Sequence, residues 1–553
     1  MNNRTYLLVG INAKYIHTSL AVRTLYAYVK SPRLSWREYN INEDIAAVCA
    51  DIYAQMADTI LFSCYIWNIE FIIRTARRLK QVAPETEIIF GGPEVSYAAQ
   101  EYMEKYSFID AVICGEGEET LKRIIETGTL NHFGVTYRDK TGRIISCPHR
   151  PPINDISVIP FPYTDEDIEQ NKNKLIYYES SRGCPFGCTY CLSSADRSLR
   201  FRDLSLIFNE LDFFIRHSVK IVKFTDRTFN ADKKRAEAII KFLIARAPKT
   251  TFHFEAAADL LDRETLSLLK TAPPGLFQLE IGVQSTNEKT LASINRKTNI
   301  AKIADTVRTI RSFGNIHLHL DLIAGLPYED YESFRRSFND VFAMEPHVIQ
   351  LGFLKLLHGT KIREAPAIYT YEPPYEVLKT PYISYEELLK LKRIEDIVEK
   401  YYNSGAFSRS VKQLCGSFPS PFDFFEALSF FYSKGGFDKI GIPRDRLYEI
   451  LLVFAQTVPE ISVPQFTELL LFDYLENNKP RTPKWAKREP VLKQRFNILT
   501  EDFINEKLPE YCGMSAKEII KHVHFERFFF PERIVIFDRE HHRIIDTKKE
   551  SDT

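Results

Sequence analysis

The sequence has no excess charge of either sign and no long apolar run. Lys and Arg together number 73, as do Asp and Glu, so the chain lacks the basic surplus typical of proteins that bind nucleic-acid backbones. No stretch approaches the roughly 20 apolar residues that a membrane-spanning helix needs. The N-terminus MNNRTYLLVGIN has no signal peptide. These absences predict a cytoplasmic protein that binds neither nucleic acid nor membranes.

The cysteine pattern also excludes a class of protein. Three of the nine cysteines fall within eight residues, and the other six are scattered: Cys49, Cys64, Cys114, Cys147, Cys415 and Cys512. A secreted disulfide framework would space its cysteines differently. Hydrophobic residues make up 44% of the 553-residue chain and charged residues 26%, which is typical of a soluble globular protein of two to four domains.

Apolar runs alternate with helical patterns near the N-terminus, and the runs end in small or turn residues. The strand candidates are 6–10, 58–63, 86–92 and 110–115, and the helix candidates are 19–29, 69–80 and 118–125. Such alternation predicts a parallel sheet covered on both faces, a Rossmann-like domain. No G-x-G-x-x-G follows the first strand, which disfavours a dinucleotide site.

A second series of strands predicts a partial barrel. After a hairpin at 133–146 and a Pro-rich linker, strand candidates fall at 175–180, 219–225, 251–256, 276–282, 317–325 and 348–357. Six βα units are too few for a full eight-fold barrel. Beyond residue 369 the chain turns mostly helical, with a hairpin at 534–546. The expected divisions are 1–147 Rossmann-like, 148–170 linker, 171–365 barrel and 366–553 mostly helical.

The strongest chemical signal is SSRGCPFGCTYCLSS, which follows the first barrel strand. Its Cys184, Cys188 and Cys191 are spaced C-x3-C-x2-C. Thiolates suit iron–sulfur clusters or zinc, but zinc prefers four ligands and no fourth Cys or His lies nearby. Three cysteines can bind three irons of a cubane and leave the fourth open for a small molecule. A [4Fe–4S] cluster is therefore the preferred interpretation over a zinc site.

This loop in a partial (βα)6 barrel resembles the radical S-adenosylmethionine (SAM) superfamily. The aromatic Tyr190 before the third cysteine matches members that place an aromatic beside the adenine. The resemblance implies that SAM chelates the open iron through its amino and carboxylate groups. An electron from the reduced cluster then cleaves SAM, and the 5′-deoxyadenosyl radical abstracts a hydrogen from substrate.

Further strand ends resemble the SAM contacts of the superfamily, in particular its coproporphyrinogen-dehydrogenase branch. The implied contacts are Thr225, Asp226, Glu255, Gln284, Arg296 and Asp321. FTDRTF departs from the Gly-Gly-Glu often found after strand 2, so Asp226 accepts the SAM ammonium or, alternatively, caps a helix. The resemblance pairs Arg296 with the SAM carboxylate and Asp321 with the ribose. Singly, each of these residues also fits a capping or buried polar role.

The N-terminal domain resembles the cobalamin (B12)-binding class of radical SAM proteins, and the whole layout resembles members with an uncharacterised C-terminal domain. The matching segments are 10–25, 62–68, 90–97 and 113–121, and the implied cobalamin contacts are Asn12, Ser63, Gly91, Gly92, Pro93, Glu94, Gly115 and Glu116. The D-x-H-x-x-G motif of a lower axial histidine is absent. We therefore expect cobalt without a protein histidine ligand and interpret His17 as a polar loop residue. The alternative is a domain that has lost cobalamin or binds a nucleotide.

Three functions remain open. The first is an enzyme that methylates an unactivated carbon of a small-molecule or natural-product substrate, with cobalamin supplying the methyl group and a flavodoxin or ferredoxin the electrons. The second uses both cofactors for rearrangement or oxidation. The third is a sensor or electron carrier without turnover. Methylthiolation is disfavoured because Cys49, Cys64 and Cys114 are widely spaced. Cys415 and Cys512 either bind a second cluster or are buried apolar residues. The aromatic C-terminal region either caps the barrel or packs as a core.

Overall fold

The computed structural model describes residues 4–439, 441–478, 482–486, 497–538 and 540–547. The chain forms two compact units. The first comprises Met1–Pro346 and Leu351–Leu388, and the second comprises His347–Gln350 and Leu389–Thr553. Within the described residues, none of the helices combines the length and apolar character that a bilayer crossing requires.

The first unit opens with a seven-stranded sheet. Its strands are β1 (Tyr6–Asn12), β2 (Leu34–Asn40), β3 (Thr59–Ser63), β4 (Glu87–Gly91), β5 (Ala111–Ile113), β6 (Val135–Arg138) and β7 (Ile144–Ser146). They lie in the order β2-β1-β3-β4-β5-β6-β7, with the first five parallel and the last two antiparallel. The accompanying helices are Leu20–Val29, Ile45–Ala54, Ile69–Val82, Pro93–Ser96, Ala99–Lys105 and Glu118–Thr127. The expected Rossmann-like domain is confirmed.

Both faces of this sheet are covered by apolar side chains. Leu7 and Val9 of β1 pack into one cluster, whereas Tyr6 and Leu8 pack into another on the opposite face. Alternate residues of a strand point to opposite faces, so a strand buried on both sides is apolar throughout. The edge strand β2 is the exception. Its sequence LSWREYN is mostly polar and only half-buried, which explains why the apolar pattern does not indicate it.

The barrel is an open sheet of six strands. The six strands are β8 (Leu175–Tyr178), β11 (Ile221–Phe224), β12 (Thr251–Glu255), β13 (Phe277–Gln284), β14 (Ile316–Ala324) and β15 (Val348–Phe353). Two short strands between β8 and β11 in the chain, β9 (Ser181–Arg182) and β10 (Arg200–Phe201), form a separate two-stranded sheet. The main sheet has the order β15-β14-β13-β12-β11-β8, and its first four strand pairs along the chain are parallel. The expected partial (βα)6 barrel is confirmed.

Helices follow the barrel strands as expected. They are Asp165–Asn171 before the barrel and Leu204–Arg216, Lys233–Arg246, Arg263–Lys270, Glu288–Ser293, Ile300–Phe313 and Tyr331–Phe342 within it. Most begin at an acidic or amide residue whose side chain accepts a hydrogen bond from a first-turn N–H: Asp203, Asp232, Asp262, Asn287, Asn299 and Asp330. Such N-caps satisfy donors that the helix itself leaves free.

The chain that follows the barrel strands stays with the first unit to Leu388. It contains β16 (Ile368–Tyr369) and β17 (Val377–Lys379), which pair antiparallel. The Val377 N–H donates to the Leu354 carbonyl at 2.9 Å. The first compact unit thus includes residues on both sides of the expected 365–366 boundary, which stays a prediction.

The second unit is mostly helical with one small sheet. From Tyr385 onward the helices are Tyr385–Val398, the π-helical Glu399–Asn403, Ser408–Cys415, Pro421–Gly435, Arg444–Ala455, Val463–Asn477, Glu501–Lys507 and Ala516–Ile519. Strands β18 (Val523–Phe529), β19 (Glu532–Asp538) and β20 (Arg543–Asp546) form an antiparallel sheet, which includes the expected C-terminal hairpin. The Phe-rich helix packs as core, since Phe424 contacts Phe418, Phe425 and Phe454.

Candidate active site

One cavity of about 830 Å³ lies in the first unit, between the carboxyl ends of the Rossmann strands and the mouth of the barrel. In open α/β sheets, ligands bind where the strand order reverses, and here β1 lies between β2 and β3. Of the expected cobalamin contacts, seven line the cavity: Asn12, Ser63, Gly91, Gly92, Pro93, Gly115 and Glu116. Barrel residues that line it include Tyr177, Glu179, Lys223, Thr225, Arg227 and Glu255. Both sets of loops therefore face one space.

Three glycines leave part of the Rossmann wall of this cavity without side chains. Gly92 has φ +114°, and a Cβ there would lie 2.5 Å from the Cys64 carbonyl oxygen. The Cys64 N–H donates to the Gly91 carbonyl at 2.6 Å, so β3 and β4 end in tight register. At Gly115 nothing lies within 4 Å of a built Cβ. The part of the wall at these glycines can accept a broad, flat ring closely, which fits a corrin.

Glu94 is the exception among the expected cobalamin contacts. Its carboxylate is buried and accepts hydrogen bonds from the Tyr102 hydroxyl at 2.8 Å and the Tyr375 hydroxyl at 2.5 Å. His358 Nε2 lies 3.2 Å from the same Tyr375 hydroxyl. Glu94 is absent from the residues that line the cavity, and its expected cobalamin contact stays a prediction. Its side chain joins the turn after β4 to the segment behind the barrel.

The first Rossmann loop is joined to the first barrel strand. Asn12 Nδ2 donates to the His17 carbonyl at 3.1 Å and to Glu38 Oε1 at 2.9 Å, which holds the loop closed. His17 Nδ1 lies 2.7 Å from the Tyr177 hydroxyl, and the two rings stack. His17 lines the cavity, but this nitrogen is engaged by Tyr177. The interpretation of His17 as a polar loop residue rather than a cobalt ligand stays a prediction.

Two aromatic residues in the same wall escaped the sequence interpretation. Tyr65 and Trp67 follow β3, line the cavity and stack with ring centroids 4.4 Å apart. Trp67 is 49% exposed, which is unusual for so large an apolar side chain. The segment FSCYIWN contained the signal, because apolar residues that follow a strand in a binding domain are candidates for ligand contact.

The cysteine loop is shaped by Gly183, which has φ +91° and whose Cβ would lie 2.2 Å from the Ser198 carbonyl oxygen. Cys184 and Cys188 are buried, Cys191 is partly exposed, and all three are free. Among the described residues, the ligand groups that fall within 4.8 Å of one another in sets of three or more are limited to Glu237, Asp262 and Glu264. The three cysteines do not form such a set, and a cubane can bind three thiolates through different irons.

The expected SAM contacts Gln284, Arg296 and Asp321 meet around Gly282. A bulge between Gly282 and Gln284 interrupts the register of β13 with β14, where Gly282 pairs with Asp321, and such bulges redirect side chains near active sites. Arg296 donates to the Gly282 carbonyl. Each of the three expected contacts buries one polar side-chain atom without a hydrogen-bond partner in the described structure: Gln284 Oε1, Arg296 Nε and Asp321 Oδ1.

Arg296 also connects this group to the cysteine loop. Its Nη1 donates to the Tyr190 hydroxyl at 3.2 Å and lies 3.8 Å from Cys188 Sγ. Burial, followed by the nearby charges of Glu280 and Glu255, raises the pKa of Asp321 well above its usual range. A buried acid and a buried guanidinium with unused polar atoms beside the cysteines fit a ligand that carries both charges and hydroxyl groups, as SAM does.

Thr225 and Glu255 line the main cavity, whereas Asp226 contacts the residues before Cys184. Its carboxylate is fully buried and accepts four hydrogen bonds from the backbone and side chains of Ser180 and Ser181, at 2.5–3.0 Å. Both carboxylate oxygens of Asp226 are thus used, and the residue fixes the loop before Cys184; its expected SAM contact stays a prediction. It does not cap the helix Lys233–Arg246, because the cap there is Asp232.

An ion-pair network joins the cysteine loop to the Rossmann domain. Arg182 pairs with Glu118 at 2.8 Å and with Glu179 at 2.7 Å. Arg200 pairs with Glu116 at 2.7 Å, and with Asp196 at the same distance. Partly buried pairs with several partners hold geometry better than exposed single pairs. The network therefore sets the spacing between the two cofactor loops, which no pattern along the sequence reveals.

Three family models match consecutive parts of the chain. Residues 6–125 match the B12 binding domain, residues 178–341 match the radical SAM superfamily, and residues 366–543 match a protein of unknown function, DUF4080. These matches confirm the resemblance drawn from the cysteine loop and the Rossmann motifs.

Several curated proteins are similar to part of the chain. Cobalamin-dependent radical SAM methyltransferase TokK of Streptomyces tokunonensis is 26% identical over 64% of this chain and 55% of its own length. The 2-(S-pantetheinyl)-carbapenam-3-carboxylate methyltransferase of Streptantibioticus cattleyicolor is 25% identical over 67% and 60%. The anaerobic magnesium-protoporphyrin IX monomethyl ester cyclase of Rubrivivax gelatinosus is 23% identical over 48% and 50%. The chain spans half to three fifths of the length of these relatives.

Solved structures share the fold. OxsB with aqua-cobalamin and SAM bound superposes with a TM-score of 0.57 at 16% identity, covering 85% of this chain and 79% of that one. TsrM from Kitasatospora setae, with cobalamin and a [4Fe–4S] cluster bound, superposes with a TM-score of 0.55 at 15% identity. That match covers 65% of this chain and 77% of the TsrM chain. The cofactors of the matched domains are a [4Fe–4S] cluster, SAM and cobalamin. The chain therefore contains a B12-binding domain, followed by a radical SAM domain and then by a DUF4080 domain.

Proposed function

We propose that this chain is an enzyme that methylates an unactivated carbon of a small molecule, using SAM and cobalamin. One observation carries the proposal. The wall expected to hold cobalamin and the barrel mouth beside the cysteines face the same cavity, and Arg182 and Arg200 tie their loops together. A substrate in that cavity can meet both cofactors. Two relatives are named methyltransferases, which supports this choice.

The roles of the residues divide by region. Cys184, Cys188 and Cys191 would hold the cluster, and Tyr190, Gln284, Arg296 and Asp321 would hold SAM beside it. Asn12, Ser63, Gly91, Gly92, Pro93, Gly115 and Glu116 would hold cobalamin. When bound, these groups supply the 5′-deoxyadenosyl radical and a methyl group. The chain itself supplies position, since Arg296 links the cysteine loop to β13.

The electron source would be an external flavodoxin or ferredoxin. Cys415 and Cys512 are single thiols on separate elements of the second unit. Burial raises the pKa of Cys415 to about 12, which disfavours the thiolate that a cluster ligand requires. Cys512 is exposed and donates to Asn505 Oδ1 at 3.1 Å. Neither feature favours a second cluster, so the reducing electron would come from a partner protein.

A second candidate keeps both cofactors but rearranges or oxidises the substrate without methyl transfer. The relative from Rubrivivax gelatinosus, whose name describes a cyclase, favours it. SAM carrying a deuterated methyl group separates the candidates without a known substrate. Anaerobically reconstituted protein with reduced cobalamin should release 5′-deoxyadenosine slowly, and it should also form S-adenosylhomocysteine with the label in the cobalamin fraction.

The possible outcomes separate the three functions. Label in cobalamin together with 5′-deoxyadenosine supports methyl transfer. 5′-Deoxyadenosine without labelled cobalamin supports rearrangement or oxidation. If protein that holds both cofactors forms neither product, that result contradicts an enzymatic role and favours the sensor or carrier hypothesis. The matched control is the variant with Cys184, Cys188 and Cys191 changed to Ala, which should lose 5′-deoxyadenosine formation while still binding cobalamin.

A further inference from the structure

The cavity contains three permanently cationic side chains, and two of them are already neutralised. Arg182 pairs with Glu118 and Glu179 within 2.8 Å. Lys223 Nζ donates to Glu280 Oε2 at 2.8 Å. Burial opposes ionisation of Glu280, but His253 and Lys223 beside it outweigh the burial and lower its pKa to about 2. The third cation is Arg227.

Arg227 has a different environment. Its side chain is 55% exposed, and its nearest carboxylate oxygen in the described structure is Glu255 Oε1 at 3.8 Å. That separation is too long for a hydrogen bond. Burial raises the pKa of Glu255 and the Arg227 charge opposes the rise, so the acid is a weak counter-ion. Within the described residues, the guanidinium donates no hydrogen bond, although it has five N–H groups to offer.

The position of Arg227 is fixed and central. The preceding residue, Asp226, is held by four hydrogen bonds from Ser180 and Ser181, so the backbone at Arg227 has little freedom. On the Rossmann side of the cavity lies Tyr65. Burial raises the pKa of its phenol, while a hydrogen bond from Ser63 and the charge of Arg227 oppose that rise. The guanidinium thus stands between the barrel mouth and the aromatic part of the cobalamin wall.

We propose that Arg227 recognises an anionic group of the substrate, a carboxylate or a phosphate, and so selects substrates that carry one. This inference rests on the proposed function, because it places the substrate between the two cofactor sites. A guanidinium binds either anion through two parallel hydrogen bonds. The carboxylate of SAM is the competing partner, but Arg296 is better placed for it, since Arg296 lies 3.8 Å from Cys188 Sγ.

Matched aryl probes test the proposal on protein loaded with cluster, cobalamin and SAM. Phenylacetate and phenyl phosphate carry the two candidate anions, and phenylacetamide is the neutral analogue. Affinities measured by saturation-transfer NMR should favour at least one anion over the amide by about tenfold or more. Whichever anion binds more tightly identifies the group. Arg227→Gln should bring the ratio close to one, whereas Arg227→Lys should keep a preference for the anion.

The control variant is Arg216→Gln, on the outer helix Leu204–Arg216, where the side chain is 64% exposed; it should retain the wild-type ratio. Equal affinity of wild type for acids and amide, or an unchanged ratio in Arg227→Gln, would overturn the proposal. So would a tenfold loss of SAM affinity in Arg227→Gln, because SAM would then be the partner of Arg227. Release of 5′-deoxyadenosine by wild type without substrate tests the proposed function separately.

Discussion

The Rossmann wall of the cavity and the SAM region of the barrel differ in the groups that they offer to a ligand. At the Rossmann wall, Gly91, Gly92 and Gly115 leave backbone and open space. In the barrel, Gln284, Arg296 and Asp321 each bury a polar atom that has no partner in the described structure. One region is defined by the side chains it lacks, and the other by polar side chains whose hydrogen bonds are incomplete.

This difference has energetic consequences. A buried polar atom without a partner costs about 1–3 kcal/mol, and a ligand that satisfies it recovers that free energy on binding. Truncating such a side chain should therefore weaken binding directly. A glycine has no side chain to truncate. Adding a Cβ at a glycine should instead weaken ligand binding, because the Cβ displaces the ligand or the backbone. The two regions should respond to opposite kinds of substitution.

The largest expected effect lies in the cysteine loop that borders both regions. Changing Cys184, Cys188 and Cys191 together to Ala should abolish cluster assembly, because the thiolates are the iron ligands. Iron and sulfide analysis with visible absorption checks this. A triple variant that still assembles a full cluster would show that Cys415 or Cys512 supplies ligands and would remove the assignment of the loop.

Truncation of the incomplete polar group should come next. Arg296→Ala and Asp321→Ala should each weaken SAM binding by about 10- to 150-fold, since each removes a charge-assisted contact of roughly 1.5–3 kcal/mol. Equilibrium dialysis with labelled SAM measures this on protein whose cluster content is checked first.

Asp226→Asn is the matched comparison. Asp226 touches Ser180 and Ser181 rather than the cavity, so this change should disturb cluster assembly more than SAM affinity. Unchanged SAM affinity in both Arg296→Ala and Asp321→Ala would contradict the assignment of the barrel contacts.

Insertion of a methyl group tests the Rossmann wall. At Gly91 an added Cβ meets nothing of the protein closer than 3.6 Å, whereas at Gly92 it meets the Cys64 carbonyl oxygen at 2.5 Å. Gly91→Ala should therefore leave stability unchanged and reduce cobalamin affinity, by about tenfold for one displaced close contact of roughly 1.4 kcal/mol. Gly92→Ala should lower both the stability of the protein and its affinity for cobalamin. Spectroscopic cobalamin titration and thermal unfolding measure the two effects.

A Gly91→Ala variant that binds cobalamin as tightly as wild type would show that the ligand does not approach this strand end. A Gly92→Ala variant as stable as wild type would show that the turn after β4 can relax. Either result would weaken the contrast between the Rossmann wall, where glycines leave room for a ligand, and the SAM region, where polar side chains bind it.

The same contrast explains what could be predicted from the sequence. Buried strands were found because apolar residues on both faces give continuous runs, whereas β2 alternates at a sheet edge and was missed. The cysteine spacing and the glycines act locally, so their roles follow from short motifs. Glu94 stands in the same motif as Gly91 and Gly92. Its side chain nevertheless accepts a hydrogen bond from Tyr375, 281 residues later, and no local pattern reveals that contact.

The ends of barrel strands show the same limit. The motif FTDRTF places Asp226 and Arg227 side by side, and a sequence cannot tell which of them faces the ligand. In the structure Asp226 turns to Ser180 and Ser181, and Arg227 turns to the cavity. The pairing of Arg182 with Glu118 likewise depends on the packing of two domains. Contacts of this kind follow from tertiary structure alone.

The last expected effect concerns the pH dependence of stability at a carboxylate just behind the SAM region. Glu329 is buried and accepts hydrogen bonds through Oε1 from the hydroxyls of Ser285, Ser337 and Ser333, at 2.8, 3.0 and 3.4 Å. Its Oε2 has no partner in the described structure. Burial raises its pKa from 4.5 to about 7, although the three hydroxyls oppose the rise. Ser285 follows Gln284, so this group supports the bulge that directs Gln284.

Because the pKa of Glu329 is higher in the folded protein, folding favours the protonated carboxyl. Its contribution is complete below pH 4.5 and is lost as pH rises to about 7, which corresponds to roughly 3 kcal/mol. Glu329→Gln keeps the shape but cannot ionise. Its unfolding free energy in urea, relative to wild type, should therefore rise by up to that amount between pH 4.5 and 7 and stay level above it. A difference that does not vary with pH would show that Glu329 ionises equally in the folded and unfolded chain. The serine hydroxyls would then compensate for its burial, and this carboxylate would not share the incomplete hydrogen bonding of the polar atoms in the SAM region.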